Sequence, residues 1–190
     1  MANTKANVTT GKPKTAGAVY RAPAGTAVPT DATTALANTF IAMGYIGEDG
    51  ISNSRSFDTD TIRDWGGEAV YEAEENHEDT FKLKFIEALN PDVLKAVHNS
   101  SNVTGTLANG LTVTVNSDEH ENAAWVIETI MRNGILKRIC IPDAKISEIA
   151  EIVYKRNEAV GYDVTLKAFA DSSGNTHYEY IKQPAAQSSP

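Results

Sequence analysis

Several segments of the chain alternate apolar and polar residues, which is the pattern of a half-buried β-strand. In "FKLKFIEAL" the apolar positions share one face and lysines occupy the other; these positions are Phe81, Leu83, Phe85 and Leu89. The segment "LTVTV" repeats the alternation at Leu111, Val113 and Val115. Each segment therefore predicts a strand with one face in a core.

A β-hairpin is predicted between residues 124 and 141. "AWVIETIM" places Trp125, Ile127 and Met131 on one side, and "ILKRICI" follows after Asn133-Gly134. Asn-Gly between two alternating runs is the strongest short-range signal for a tight turn, because both residues tolerate positive φ.

One α-helix is predicted in "NPDVLKAVH". Asn90 suits the N-cap, Pro91 suits the first helical position, and Asp92 suits the positive end of the helix dipole. Val93, Leu94 and Val97 form its apolar stripe. A second, short helical turn is predicted near "TDATTAL", where Asp31 or Thr33 could act as the cap.

The segment "DAKISEIAEIVYKRNEAVGYDVTLKAF", residues 143–169, carries two conflicting periods. Ile146, Ile149, Ala150 and Val153 match a helical spacing. The segment is nevertheless rich in β-branched residues and is followed by a cleanly alternating run from Tyr162. We therefore predict a hairpin with arms of about ten residues, whose first arm contains one bulge.

These elements predict a mainly β fold: about ten strands in a sandwich or barrel-like structure, with one α-helix on its flank. Residues 1–16 and 183–190 are small and polar and lack a period that could bury a face. We expect a flexible N-terminal arm (1–16), one domain (17–182) and a flexible C-terminal tail (183–190), with the ends ordered only by a neighbour.

Composition narrows the possible functions. The chain has 190 residues and a formal net charge of −8, which argues against a surface that grips nucleic-acid phosphates. It has no apolar stretch of membrane-spanning length and no signal-like start, so we expect synthesis and folding in a cytosol without membrane insertion. Its single cysteine, Cys140, lies in an alternating run and is expected to be a small buried side chain rather than a nucleophile.

Motifs that would indicate catalysis are missing from the sequence. There is no GxSxG, P-loop, GxGxxG or HExxH motif, and the acidic run Asp58, Asp60 and Asp64 lacks the glycine of a calcium loop. His77 and His120 lie in acidic clusters that suit either a divalent cation or a solvated loop. We predict no enzyme activity, no catalytic residue, no cofactor and no metal site.

Several segments, in order, resemble the tail tube (major tail) proteins of long-tailed, non-contractile bacteriophages. The quoted pieces span from about residue 17 to residue 182: "TAGAVYRAPAGTAVPTDATTAL", "GYIGEDGISNS", "IRDWGGEAV", "IEALNPDVLKAV", "NVTGTL", "NEAVGYDVTLKAF" and "DSSGNTHYEYI". Each piece is short, and it is their collinear order that carries the resemblance.

The resemblance implies a structural virion protein whose subunits form hexameric rings that stack into a tube. It implies a long loop or hairpin, here about Gly47 to Asp79, that reaches the neighbouring ring. Trp65 is the candidate assembly anchor on that segment, together with its neighbours Arg63, Asp64, Gly66 and Gly67.

The implied partners are other copies of the chain, a tape measure protein in the lumen, and tail terminator and distal tail proteins at the tube ends. Double-stranded DNA would pass through without specific binding. The implied location is the phage tail, after synthesis in the bacterial cytoplasm, and no C-terminal immunoglobulin-like decoration is expected.

Two other classes of function stay open at this stage. A virion adhesin or immunoglobulin-like binding module would present exposed aromatic residues on loops at one end of the fold. A hydrolase could assemble its site from histidines and acids that are distant in the sequence.

Overall fold

The computed structural model describes residues 3–15 and 18–183, and within these ranges the chain is mainly β. The strands are β1 Gly11–Pro13, β2 Val19–Pro23, β3 Ile41–Ala42, β4 Ile46–Arg63, β5 Ala69–Phe85, β6 Val103–Thr106, β7 Gly110–Val113, β8 Ala123–Met131, β9 Leu136–Ile149, β10 Tyr162–Ala168 and β11 Tyr178–Lys182. The helix α1 is Pro91–His98, and short 3₁₀ turns cover Lys5–Asn7, Ser100–Asn102 and Arg132–Gly134. Over the described ranges, no helix combines the length and apolar character needed to cross a bilayer.

Nine of the strands form one antiparallel sheet. Its order is β3-β2-β8-β9-β10-β5-β4, with β1 added to β8 and β11 added to β9, while β6 and β7 pair separately. In the part of the chain that the structure describes, β3 and β4 end the sheet without pairing with each other, so the sheet is not a closed barrel. The predicted mainly β, sandwich-like fold with a flanking helix is confirmed.

The main core lies between the sheet and α1. Phe81, Leu83 and Phe85 are buried at alternate positions of β5, as the alternation predicted. Trp125 of β8 stacks on Phe85 with ring centroids 6.4 Å apart, so it is a core residue. The apolar stripe of α1 closes this core with Val93, Leu94, Ala96 and Val97.

A smaller core lies on the opposite face of β8. Ala124 and Val126 are fully buried there beside Cys140, Ala22 and Phe40. The first six residues of β8 are therefore buried on both faces of the sheet.

The predicted hairpin turn at Asn133-Gly134 and the predicted N-cap of α1 at Asn90 are both confirmed. Asn133 and Gly134 have φ values of 61° and 73°, both positive. The connection from β8 to β9 is longer than a two-residue turn, because the strands stop at Met131 and Leu136. At α1, the Asn90 side chain accepts a hydrogen bond of 3.0 Å from the Asp92 backbone N–H.

The ambiguous segment after residue 143 is a hairpin of β9 and β10. Leu166 pairs with Ile146 and Thr165 pairs with Glu148, so Ser147 is the extra residue of the predicted bulge. The helical interpretation is therefore wrong. The first arm is shorter than predicted, because β9 ends at Ile149 and residues 150–161 lie outside strands.

Three other local predictions are wrong. Leu89 and Val115 are exposed and lie beyond the ends of β5 and β7, since the alternation in the sequence continues past the pairing. No helix forms at "TDATTAL". Asp31 instead accepts hydrogen bonds from the backbone N–H groups of Thr33 and Thr34 in a loop, because no apolar stripe follows it.

Part of the expected N-terminal arm belongs to the sheet of its own subunit. Gly11, Lys12 and Pro13 pair with Met131, Ile130 and Thr129 of β8. This strand is therefore ordered by the chain itself, contrary to the expectation that only a neighbour would order it. The tail beyond residue 183 lies outside the described residues, and the domain boundaries stay predictions.

Candidate assembly surface

The long hairpin of β4 and β5 leaves the body of the subunit. Its root packs on the core through β5, with Ile51 opposite Leu83 and Asn53 opposite Phe81. Residues 55–78, here called the distal hairpin, are exposed on both faces apart from the half-buried Thr61 and Ala73. An isolated two-stranded ribbon is marginally stable in water, and the distal hairpin gains almost no stability from packing on its own subunit.

The pairing of the distal hairpin is interrupted by two irregularities. Between Ser56 and Asp58, β5 contributes an extra residue, and Asn76 there has a φ of 51°. The rings of Phe57 and His77 lie beside this bulge with centroids 5.9 Å apart. Bulges increase the twist of a ribbon and make its edges less able to pair with a strand of another chain.

Most of the net negative charge of the chain lies on the distal hairpin. Residues 55–78 contain eight acidic residues and two arginines, a formal charge of −6 within a total of −8. The structure concentrates it on one projecting element instead of spreading it over the body.

The tip of the hairpin, residues 63–68, is an ordered turn. Asp64 donates its backbone N–H to the Glu68 carbonyl at 2.9 Å and accepts the Gly67 N–H at 3.0 Å. The Asp64 carboxylate also accepts the Glu68 N–H at 2.8 Å, and the Arg63 guanidinium donates to the Gly67 carbonyl at 3.1 Å. Gly67 has a φ of +90°, which a residue with a side chain rarely adopts.

The structure thus brings together the five residues named from the sequence as an assembly anchor, namely Arg63, Asp64, Trp65, Gly66 and Gly67. Trp65 has a relative exposure of 105%, so its indole contacts almost nothing in its own subunit. Ile62, Val70 and Tyr71 close to the tip are also more than half exposed. Clusters of exposed apolar side chains are frequent at surfaces that contact another molecule.

A second feature was not found from the sequence. A groove of about 820 Å³, here called the arm groove, lies between residues 11–15 and the stretch from Tyr45 to Ile51. Its inner surface includes Phe81, Ile127 and Ile139, which are core side chains or adjoin the core. Its walls come from segments far apart in the chain, so no local pattern could have indicated it.

A buried cluster of ion pairs stabilises the side of the groove that residues 11–15 form. Lys14 Nζ lies 3.2 Å from both carboxylate oxygens of Glu128. Arg138 donates to the same carboxylate through Nε at 2.9 Å and also forms an ion pair with it through Nη2. Its Nη1 donates to the Asp31 carbonyl at 2.7 Å. Two cations on one buried carboxylate fix the position of the arm relative to β8 and β9.

Cys140 lies next to this cluster in the smaller core. Burial raises the pKa of its thiol to about 12, with Arg138 opposing the shift and Glu128 adding to it. A thiol with such a pKa is a poor nucleophile at neutral pH, and its expected place as a small buried side chain is confirmed.

The histidines are dispersed over the structure. His177 contacts the Asp79 carboxylate at 2.5 Å at the root of the hairpin, whereas His77 is exposed on it. Burial lowers the pKa of both His98 and His120, and their mutual proximity lowers that of His98 further. Over residues 3–15 and 18–183, no three His, Cys, Asp or Glu side chains converge in a way that could hold a metal ion.

Comparison with protein families decides the identity. The family model described as "Phage tail tube protein" matches residues 1–190, the whole chain. The chain belongs to the phage tail tube protein family. This family is one of structural proteins, and membership places the chain in the virion tail.

Other comparisons add little. A search of curated proteins finds no match. A tube–sheath assembly, the extended PVC sheath-tube complex of an extracellular contractile injection system, contains a similar solved chain. The two chains are 10% identical with a TM-score of 0.41, over 90% of this chain and 93% of that chain, and a similarity at this level carries no argument.

Proposed function

We propose that this tail tube protein forms hexameric rings that stack into the tube of a long-tailed, non-contractile phage, through which the genome is delivered. The observation that supports this most is the distal hairpin, which is exposed on both faces and ends in a fully exposed Trp65. The assignment to a tube rests on family membership. The tail type and the ring size rest on the resemblance of the sequence segments.

Assembly of this kind needs two kinds of contact. A ring closes through different patches on the two sides of each subunit, and stacking requires a second pair of patches. The sheet offers the first pair, because β4 at one end and β3 at the other have no further strand partner within the described residues. Unpaired edges invite pairing with another chain, and the hairpin remains available for stacking.

The charge distribution fits a conduit. DNA that moves through a tube must not be held by cations, because each phosphate contact adds to binding. The chain has a net charge of −8, so its subunits add no excess of positive charge to the tube. Tape measure, tail terminator and distal tail proteins are the further partners that this function requires.

Truncation of the hairpin tests the proposal. Replacing residues 56–78 with an Asn-Gly turn keeps Arg55 opposite Asp79 and removes an element that contributes little to the core, so the subunit should remain folded. We expect the parent protein to form tubes in negative-stain electron microscopy and the truncated protein to stop at rings or monomers. A matched control shortens the exposed turn between β6 and β7, which should leave the tubes unchanged.

The proposal is wrong if the parent protein remains monomeric at concentrations at which tail tubes assemble. It is also wrong if the truncated protein builds tubes as long as those of the parent. Monomers that bind a bacterial surface instead would favour the adhesin alternative, for which the exposed Trp65 and Tyr71 are the supporting observation.

A further inference from the structure

We propose that the arm groove of one subunit receives the Trp65 tip of the distal hairpin from a second copy of the chain. This inference rests on the proposed stacking of rings and names the surface at which the hairpin ends. It pairs the most exposed large apolar side chain of the described residues with an apolar groove that its own subunit leaves open.

The groove is large enough and apolar enough to accept a large side chain. Its volume of about 820 Å³ exceeds what an indole occupies and falls within the range of small-ligand sites. Phe81 and Ile127 lie at its inner end, and Ile46 and Ile51 are half-buried along one wall. A side chain placed there would extend the main core outward.

The geometry of the hairpin requires that the occupant come from another copy. The β4 wall of the groove ends near Ile51, and Trp65 follows fourteen residues later along a paired strand and its turn. At about 3.3 Å per residue, the tip lies roughly 45 Å from the groove of its own subunit. A hydrogen-bonded ribbon cannot fold back over that distance, so an intramolecular contact is excluded.

The order of the tip lowers the cost of docking. Four hydrogen bonds within residues 63–68 hold the turn before any partner arrives. Little conformational entropy therefore remains to be lost when Trp65 enters a groove. An exposed tryptophan on a preorganised turn is the kind of residue that dominates the binding energy of an interface.

Charge complementarity favours the same pairing. The distal hairpin has a formal charge of −6, whereas residues 11–15 on the groove wall contain two lysines and no acidic residue. Lys12 lines the groove and forms no ion pair within the described residues, while Lys14 beside it is already bound to Glu128. Glu48 lies on the opposite wall, so the acidic ribbon should approach along the β1 side.

The contact also has the symmetry that stacking needs. Tip and groove are different patches on one chain, and such a head-to-tail contact repeats without limit when the second copy lies in the next ring. A self-complementary contact between two tips would instead stop at pairs.

Cross-linking tests the pairing directly. Ala69→Cys beside the tip and Thr15→Cys on the groove wall place two exposed thiols, and the buried Cys140 adds no competing reaction. In assembled protein, a short bismaleimide should join them into a ladder of covalent oligomers. The matched control combines Ala69→Cys with Leu107→Cys, an exposed position in the β6–β7 turn, and should give no ladder.

The outcomes separate this inference from the proposed function. Tubes whose tip thiol cross-links to residue 107 and not to residue 15 overturn the groove assignment and leave the tube function intact. A parent protein that makes no tubes overturns both.

Charge reversal tests the same pairing without cysteines, in case the double variant does not assemble. Lys12→Glu should raise the critical concentration for tube formation about tenfold, with a smaller effect at high salt, because like charges then face each other. Lys82→Glu, an exposed lysine on β5, is the control and should have little effect. Equal effects of the two reversals would overturn the inference.

Discussion

Replacing Trp65 with Ala should separate folding of the subunit from its assembly. The indole has a relative exposure of 105%, so the folded subunit loses no contact when it is removed. Surface substitutions of this kind change the free energy of unfolding by less than about 0.5 kcal/mol. Unfolding in urea should therefore be the same for the variant and the parent.

The effect on assembly should be much larger. Burying about 150 Å² of indole surface at about 25 cal/mol per Å² gives an upper limit of nearly 4 kcal/mol for each contact. Ordering of the side chain and the surface that Ala itself buries reduce this to about 2 kcal/mol. Since a factor of ten corresponds to about 1.4 kcal/mol, the critical concentration for tubes should rise about thirtyfold.

Sedimentation of tubes over a concentration series measures this critical concentration. Tyr154→Ala is the matched control, because this aromatic side chain is also largely exposed but lies in the loop between β9 and β10. The control should sediment like the parent. A Trp65→Ala protein with an unchanged critical concentration, or with a markedly lower stability in urea, would contradict this prediction.

Three further predictions concern the subunit alone. Gly134→Val should lower the free energy of unfolding, measured in urea, by about 2 kcal/mol, because φ is 73° at this position. Gly134→Asn should lower it by clearly less, because Asn tolerates positive φ, and equal losses for the two variants would contradict the turn geometry. Cys140 should react with a maleimide far more slowly than a free thiol at pH 7, since its pKa is about 12; equal rates would show that it is accessible. Glu128→Gln should cost about 3 kcal/mol of unfolding free energy, because Arg138 stays buried without a counter-charge, and a loss below about 1 kcal/mol would contradict this.

The sequence predicted those elements whose local pattern and burial agree. The alternation from Phe81 to Phe85 marks a strand with one buried face, and the cap at Asn90 marks the start of α1. The positive φ values at Asn133 and Gly134 were predictable because few other residue pairs adopt them. Each of these signals is contained within a few neighbouring residues.

The distal hairpin could not be recognised as two long strands from its pattern. Both of its faces are in solvent, so no apolar period marks β4, and its strand character comes from pairing with β5. Its length and the unusual Trp65 between charged residues and glycines were the only features that the sequence pattern indicated. A resemblance to a family was needed to assign a role to this segment.

The arm groove and the ion cluster depend on contacts between distant segments. Lys14 directly follows β1, Glu128 lies in β8 and Arg138 lies in β9, and only the sheet order brings them together. The small polar residues of 1–16 looked like a free arm because a strand of three exposed residues carries no hydrophobic signal. Sheet order is a property of the whole chain and cannot be read from one segment.

Cryo-electron microscopy of tubes assembled from the purified protein would show the contacts between subunits. We expect stacked rings of six subunits in which each distal hairpin crosses to the next ring and its Trp65 is buried against β1 and the root of β4. Protein that stays monomeric, or tubes whose hairpins end in solvent on the outer surface, would contradict it.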